Sequence, residues 1–452
     1  MSELFSGDVP AHRIAAAVRA GEVTASRVVE AALARIGTGD GRIHAFTAVA
    51  ADRARTRARR LDASVAAGGD GGLLAGVPFA VKAMIDVAGT VTTAGAALHL
   101  HDAAAKVDAE VVRRLEAAGA ICVGAANMDE FGMGGTTENS CFGPTRNPHD
   151  VTRTPGGSSG GCAAALAAGF VPIAIGGDAL GSIRLPASLC GVYGLRPTRG
   201  TVPAAGVLGN GGTISTLGPM ARSARDIAMT HAIVTGQPVG TPDAARSLRL
   251  ALAGGYFNES LDSDAATAVE RVARALDVRA SLEFPEAARA KAAAILINAS
   301  ESAVGRLPAL RDRAGEFHPG TRDRFIAHAL LPVQWYLHAQ RYREAHKRMV
   351  NRLFESVDVL ILPATPTVAP PLGQATLRVA GQEWPTGPML GWFTQPLAGT
   401  DCPAMTVPVP RPGALPIGVQ LLAAPHGERA LFDVAARLES LGIASAPVAS
   451  PE

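Results

Sequence analysis

Two serines and one lysine in this chain could carry out acyl transfer. Ser158 stands in Gly156-Gly157-Ser158-Ser159-Gly160-Gly161, and Ser182 follows 24 residues later in Gly181-Ser182-Ile183-Arg184. A serine hydroxyl is a weak nucleophile until a base takes its proton. Glycine-rich bends let neighbouring backbone N–H groups converge on an oxyanion, the largest contribution in acyl-transfer catalysis. Lys82 is the candidate base. Lysine and arginine together number 42, yet only Lys82, Lys106, Lys291 and Lys347 are lysines. Lys82 directly follows the apolar stretch 73–81. Arginine does not release its proton in a protein, whereas a buried lysine can.

The pattern of elements supplies the frame for these residues. Residues 10–36 read as two amphipathic helices, with Thr24 capping the second, and 48–67 as a long Arg/Ala helix. Short apolar strands are expected at 78–81, 121–124, 171–175, 249–253, 358–362 and 418–423. Helices are expected at 107–118, 161–168, 265–276, 332–354 and 429–441. Between 132 and 218 the chain is rich in Gly and Ser, with one helix and one strand expected there. Such loops allow backbone to approach a ligand closely. Helices alternating with buried strands predict an α/β fold with a mixed sheet covered by helices on both faces.

The same residues admit other readings. Gly156-Gly157-Ser158-Ser159-Gly160 also fits the nucleophile elbow of α/β-hydrolases, which would make Ser158 the nucleophile and require a later Asp and His. His318, His328, His338, His346 and His426 are available, and most read as solvated. His99-Leu100-His101 resembles the His-x-His of metal-dependent amidohydrolases, but Asp102-Ala103-Ala104-Ala105 behind it reads as a surface loop. No Gly-x-x-x-x-Gly-Lys-Ser/Thr occurs, which argues against ATP. No metal or other cofactor is expected.

Composition sets further bounds. The 452 residues are 48% hydrophobic and 18% charged, with a net charge of +2, a soluble globular balance. No basic cluster suggests nucleic acid, and no apolar run suggests a leader in residues 1–14 or a membrane span. Cys122, Cys141, Cys162, Cys190 and Cys402 read as buried, reduced thiols of a cytoplasmic protein.

Lys82, the Gly-Gly-Ser-Ser-Gly-Gly run and Gly-Ser-Ile-Arg resemble the amidase signature family, whose members use a Ser–cis-Ser–Lys triad. The similarity continues through Asn127-Met128-Asp129-Glu130-Phe131, Gly143-Pro144-Thr145-Arg146-Asn147-Pro148, Gly218-Pro219-Met220-Ala221-Arg222-Ser223 and Pro416-Ile417-Gly418-Val419-Gln420. It therefore covers nearly the whole chain. The resemblance implies the amidase signature fold as one domain over 1–452. Within it lie a helical region (1–70), a signature core (71–230) and a substrate-specificity half (231–452). Ser182 would be the nucleophile, Ser158 the relay and Lys82 the ultimate base, with a cis peptide between Gly157 and Ser158. The oxyanion hole would be the N–H groups of Ala179, Leu180, Gly181 and Ser182. Met128 and Gly157 would touch substrate. Two places depart from the family pattern. Ala179-Leu180 replaces the usual Thr-Gly, which should reshape the pocket and keep the N–H donors. Ala83-Met84 replaces Asp-Asn beside the lysine.

Two narrower resemblances bear on the substrate. Residues 127–148 are similar to the A subunits of the tRNA-dependent amidotransferases, which hydrolyse glutamine. The later half is more like the large subunits of the 1-carboxybiuret hydrolases of cyanuric acid breakdown. The matching stretches include Asn298-Ala299-Ser300-Glu301-Ser302, Asp323-Arg324-Phe325-Ile326 and Thr394-Gln395-Pro396. The second resemblance implies a small carboxylated urea-type amide as substrate, ammonia release and a small helical partner subunit in a homodimer or heterotetramer. A general small-amide or aryl amidase is a further alternative. An arginine should hold the carboxylate, and Arg322 and Arg324 are the candidates.

Overall fold

The short apolar runs pair into one large sheet in the computed structural model, which describes residues 5–209, 212–238 and 240–449. The extreme ends of the expected 1–452 unit, and the first four residues of the stretch inspected for a leader, lie outside the described residues. The strands in chain order are β1 (Phe46–Val49), β2 (Pro78–Lys82), β3 (Ile121–Ala126), β4 (Ile173–Asp178), β5 (Tyr193–Arg196), β6 (Thr216–Ala221) and β7 (Leu250–Gly254). They continue with β8 (Ser281–Glu283), β9 (Val359–Pro363), β10 (Thr376–Val379), β11 (Gln382–Pro385), β12 (Ala404–Val409) and β13 (Ile417–Leu422). Eleven of them form the sheet in the order β1-β3-β2-β4-β6-β5-β12-β13-β9-β7-β8, while β10 and β11 make a separate hairpin.

The sheet is mixed in a specific way. β2 runs parallel to both β3 and β4, and β7 runs parallel to both β8 and β9. The strands between these two groups pair antiparallel. Helices cover both faces, which is why the strands are apolar throughout rather than alternating. β9 illustrates this. Val359 and Ile361 pack with Ile227, Val272 and Leu431 on one side, while Leu360 and Leu362 pack with Phe257, Val350 and Phe393 on the other. Thr24 caps the helix Ala25–Ile43 by accepting from Arg27 N, as its position suggests.

Three sequence expectations are corrected. The helix expected over 48–67 runs from Ala51 to Ala66, and residues 48 and 49 belong instead to the strand β1. Phe46 and Val49 suit an edge strand, and β1 pairs antiparallel with β3. The segment 132–218 holds more regular structure than one helix and one strand, because β5, β6 and the helix Arg184–Cys190 also lie in it. Their Gly and Pro residues read as turns. Yet Pro186 sits in the first helical turn, where no N–H is needed, and a Cβ on Gly218 would lie 2.0 Å from Leu195 O of the neighbouring strand. Finally, Cys141 is exposed, whereas the other four cysteines are buried.

Candidate active site

Lys82 is the last residue of β2, flanked by two parallel strands, and its side chain is only 2% exposed. Its Nζ donates to Ser158 Oγ at 2.7 Å and to Gly177 O at 3.4 Å. Burial pushes its pKa down from 10.5 to about 8, against the opposing pull of the Asp129 and Asp178 carboxylates. The adjacent Cys162 thiol is itself pushed up to about 12 by burial and adds no charge near neutrality. A lysine in this state can accept a proton.

Ser158 lies in the loop that enters the helix Gly160–Ala167, and the Gly157–Ser158 peptide bond is cis. Ser159 ties this loop to β4, since its Oγ donates to Gly177 O at 3.1 Å and accepts from Gly177 N at 3.2 Å. Its N–H donates to Ser182 O at 3.1 Å, which joins the two serine loops.

The Ser182 loop is built around Asp178, at the end of β4. Its carboxylate is fully buried and bonded by Arg184 through two contacts of 3.0 Å, with Arg196 at 3.6 Å. Burial alone would raise its pKa, but the two guanidinium groups outweigh this and hold it below the usual value. The charged carboxylate accepts from Gly181 N at 2.8 Å and Ile183 N at 3.2 Å. Gly181 has φ 132°, and a Cβ there would lie 2.1 Å from Thr394 Oγ1, so only glycine fits. Thr394 Oγ1 donates to Leu180 O at 2.7 Å and pins the loop from the opposite side.

Lys82, Ser158 and Ser182 all line one cavity of about 1120 Å³. Its other walls come from the helix Ala287–Val304, the loop 131–136 and the segment 385–395. Of the expected oxyanion donors, Ala179, Leu180 and Ser182 line this cavity. The N–H of Gly181 is already given to Asp178, so its place in the loop is conformational. Leu180, at the position where the resemblance expects glycine, lines the cavity beside Ser182, and Met84 lines it near Lys82.

The expected substrate contacts divide. Arg324 lines the cavity and donates to Met133 O at 3.1 Å. Arg322 is not among the lining residues and pairs instead with Asp323 at 2.8 Å. Met128 is fully buried with Ala83, Ala94 and Ala125, behind the cavity wall. Gly157 also lies behind it, against the Asp129 carboxylate, where a Cβ would come within 2.1 Å of Oδ2. Among the histidines, His346 is buried rather than solvated, with Nε2 2.9 Å from Pro285 O. His99 pairs through Nδ1 with Asp102 at 2.7 Å.

Sequence reasoning passed over three cavity residues. Arg306 lines it with its guanidinium 4.3 Å from the Phe131 ring centroid and no carboxylate partner among the described residues. Asp129 lines it as a fully buried carboxyl pushed up to about 6 by burial. Gln395 lines it beside the Ser182 loop. Asp129 and Gln395 stood inside recognised motifs, which was the available signal. For Arg306 the signal was weaker, since it follows a helix the sequence left unassigned.

The Amidase family profile matches residues 27–432 of this chain. The chain is 42% identical over 445 residues to AtzE of the 1-carboxybiuret hydrolase of Pseudomonas sp. (strain ADP), covering 94% of this chain and 97% of that protein. It is 36% identical over 486 residues to the glutamyl-tRNA(Gln) amidotransferase A subunit of Anaeromyxobacter sp. (strain K), covering 96% of each. It is also similar to a solved, inhibitor-bound structure described as a vestigial protein complex that reveals the origins of an s-triazine catabolic enzyme. The TM-score is 0.93 at 40% identity, over 97% of this chain and 99% of that one.

Proposed function

The chain belongs to the amidase family, and from that premise we propose that it hydrolyses a small carboxylated urea-type amide, of the 1-carboxybiuret kind, with release of ammonia. In this reading Ser182 Oγ attacks the amide carbonyl and gives its proton to Ser158, whose own proton passes to neutral Lys82. The N–H groups of Ala179, Leu180 and Ser182 receive the developing oxyanion. The proton held by Lys82 returns through Ser158 to the leaving nitrogen, the C–N bond breaks and ammonia departs. Water then cleaves the seryl ester by the same proton route in reverse.

The observation that carries this reading is the 2.7 Å contact between a buried, easily deprotonated lysine and Ser158, on a cavity wall shared with Ser182. The substrate class rests on the relative's name and on the cations of the cavity. Arg306 and Arg324 are the two arginines that line it. Arg306 is the better carboxylate partner, because its guanidinium makes no hydrogen bond to the described residues, whereas that of Arg324 donates to Met133 O. Arg306→Leu is expected to raise KM for a carboxylated amide about 10- to 100-fold with kcat much less affected, the loss of one charged hydrogen bond. Arg322→Leu should leave both near wild type. Steady-state kinetics of the two variants checks this.

A small helical partner belongs to the same reading. Ile326, Leu330, Val333, Trp335 and Leu337 are large apolar residues left exposed along and between two consecutive helices, where such a protein could bind. A cytoplasmic location also belongs to it, supported by five cysteines that are all free thiols. Among the described residues no helix is long and apolar enough to cross a membrane. The test is an ammonia-release screen of biuret-type amides, malonamate and glutamine, with and without a co-encoded small protein. Turnover of urea-type amides is expected. Strong turnover of glutamine with none of these would overturn the substrate reading and favour an amidotransferase-like glutaminase.

A further inference from the structure

A buried polar atom that makes no hydrogen bond in the resting protein is costly unless a ligand completes it. Gln395 presents this situation at the cavity. The residue is 9% exposed, its Oε1 is buried without a partner, and its carboxamide makes no hydrogen bond to the described residues. Whichever way the amide is turned, a donor or an acceptor is left over. Its backbone is well fixed. Gln395 N donates to Gly391 O at 3.1 Å, and the preceding Thr394 holds Leu180 O of the nucleophile loop at 2.7 Å.

The surroundings leave room for this carboxamide. A Cβ on Gly391 would lie 2.4 Å from Gln395 Nε2, so glycine there opens the space the amide occupies. The short helix Gln395–Leu397 packs against Ala287–Val304, the helix that carries Asn298. Asn298 also lines the cavity, and its side chain makes no hydrogen bond to the described residues. Two residues with unpaired carboxamides, on contacting elements, thus line one cavity next to the loop that bears Ser182. By contrast, the cavity-lining Asn139 is fully engaged, receiving Glu130 N and donating to Met133 O and Thr321 Oγ1.

We propose that Gln395, assisted by Asn298, recognises the urea unit of the substrate. This rests on the function proposed above and adds to it the group that distinguishes a urea-type amide from an ordinary one. Beside the scissile carbonyl a urea carries a second nitrogen with its N–H, where a simple acyl amide carries CH2. A carboxamide offers N–H donors and a carbonyl acceptor in one plane, and its acceptor can receive that N–H. A site built to hydrogen-bond such a group discriminates against the analogue that lacks it. Gln395 is therefore a specificity-determining residue.

Biuret and malonamide provide the test, because they differ only by N–H against CH2 at the central position. In Gln395→Leu, kcat/KM for biuret is expected to fall about 10- to 100-fold while that for malonamide stays within about threefold. The variant should unfold at the wild-type temperature or above, since no internal hydrogen bond is lost. An equal fall for both substrates, or a lowered unfolding midpoint, would overturn the proposal. Binding is read separately on Ser182→Ala protein by thermal shift. Biuret should raise the midpoint when Gln395 is present and not when leucine replaces it, and equal shifts would also overturn the proposal. Absence of turnover of either compound by the wild type would count against the proposed function and leave this binding result to decide the role of Gln395.

Discussion

Replacing Ser182 with alanine is expected to lower kcat for ammonia release by on the order of 10⁴- to 10⁶-fold, with the fold and KM close to wild type. Ser182 is half-buried on the cavity wall, and its hydroxyl makes no hydrogen bond to the described residues, so no structural contact is lost. The groups assigned to substrate binding, Arg306 and Gln395, remain in place. A loss confined to kcat is the signature of an interaction made only in the transition state. Ser158→Ala should differ, because it also removes the oxygen that Lys82 contacts at 2.7 Å. The alternative in which Ser158 is the nucleophile of an α/β-hydrolase elbow predicts the reverse, a Ser182→Ala variant that still acylates.

The second large effect combines lost activity with gained stability. Lys82→Met is expected to reduce kcat at least about 10³-fold, the scale for losing a positioned general base. The same change should stabilise the protein at neutral pH. An unfolded lysine keeps its proton up to 10.5, whereas in the folded protein burial brings the pKa down to about 8. Between those values the unfolded chain binds more protons, so wild-type stability rises with pH through that window. Below pH 8 the buried charge is fully present and costs up to about 3 kcal/mol at 1.36 kcal/mol per pKa unit. Methionine carries no such cost. The stability gap between variant and wild type should therefore be largest at pH 7 and shrink as pH rises from 8 towards 10.5. Denaturant midpoints at pH 7 and pH 10 measure it. In the wild type, kcat/KM should rise with pH through about 8, as Lys82 becomes neutral.

Much of this site was legible in the sequence because its chemistry depends on residue types that cannot be exchanged. Lys82 was conspicuous as a lysine in an arginine-dominated chain, and its apolar flank foretold burial. The two serine loops announced themselves by glycines that the backbone requires, such as Gly181 against Thr394. The strands buried on both faces were readable as unbroken apolar runs. What was not legible depends on contacts between distant parts of the chain. Arg196, from another strand, helps hold the Asp178 carboxylate that takes Gly181 N–H, so one expected oxyanion donor is spent. β6 contains Gly218 and Pro219, which read locally as a turn, yet its partners β4 and β5 impose a strand. The position of Arg322 away from the cavity was not legible either. Arg322 and Arg306 look equivalent in sequence, and only packing sends one to Asp323 and the other over Phe131 into the cavity.

The most direct test of the central claim, that Ser182 is the nucleophile and Ser158 the relay, is labelling with a fluorophosphonate followed by peptide mapping. The account predicts one adduct per chain, carried on Ser182, absent from Ser182→Ala and strongly slowed in Lys82→Met. An adduct on Ser158, or undiminished labelling of Ser182→Ala, would contradict it.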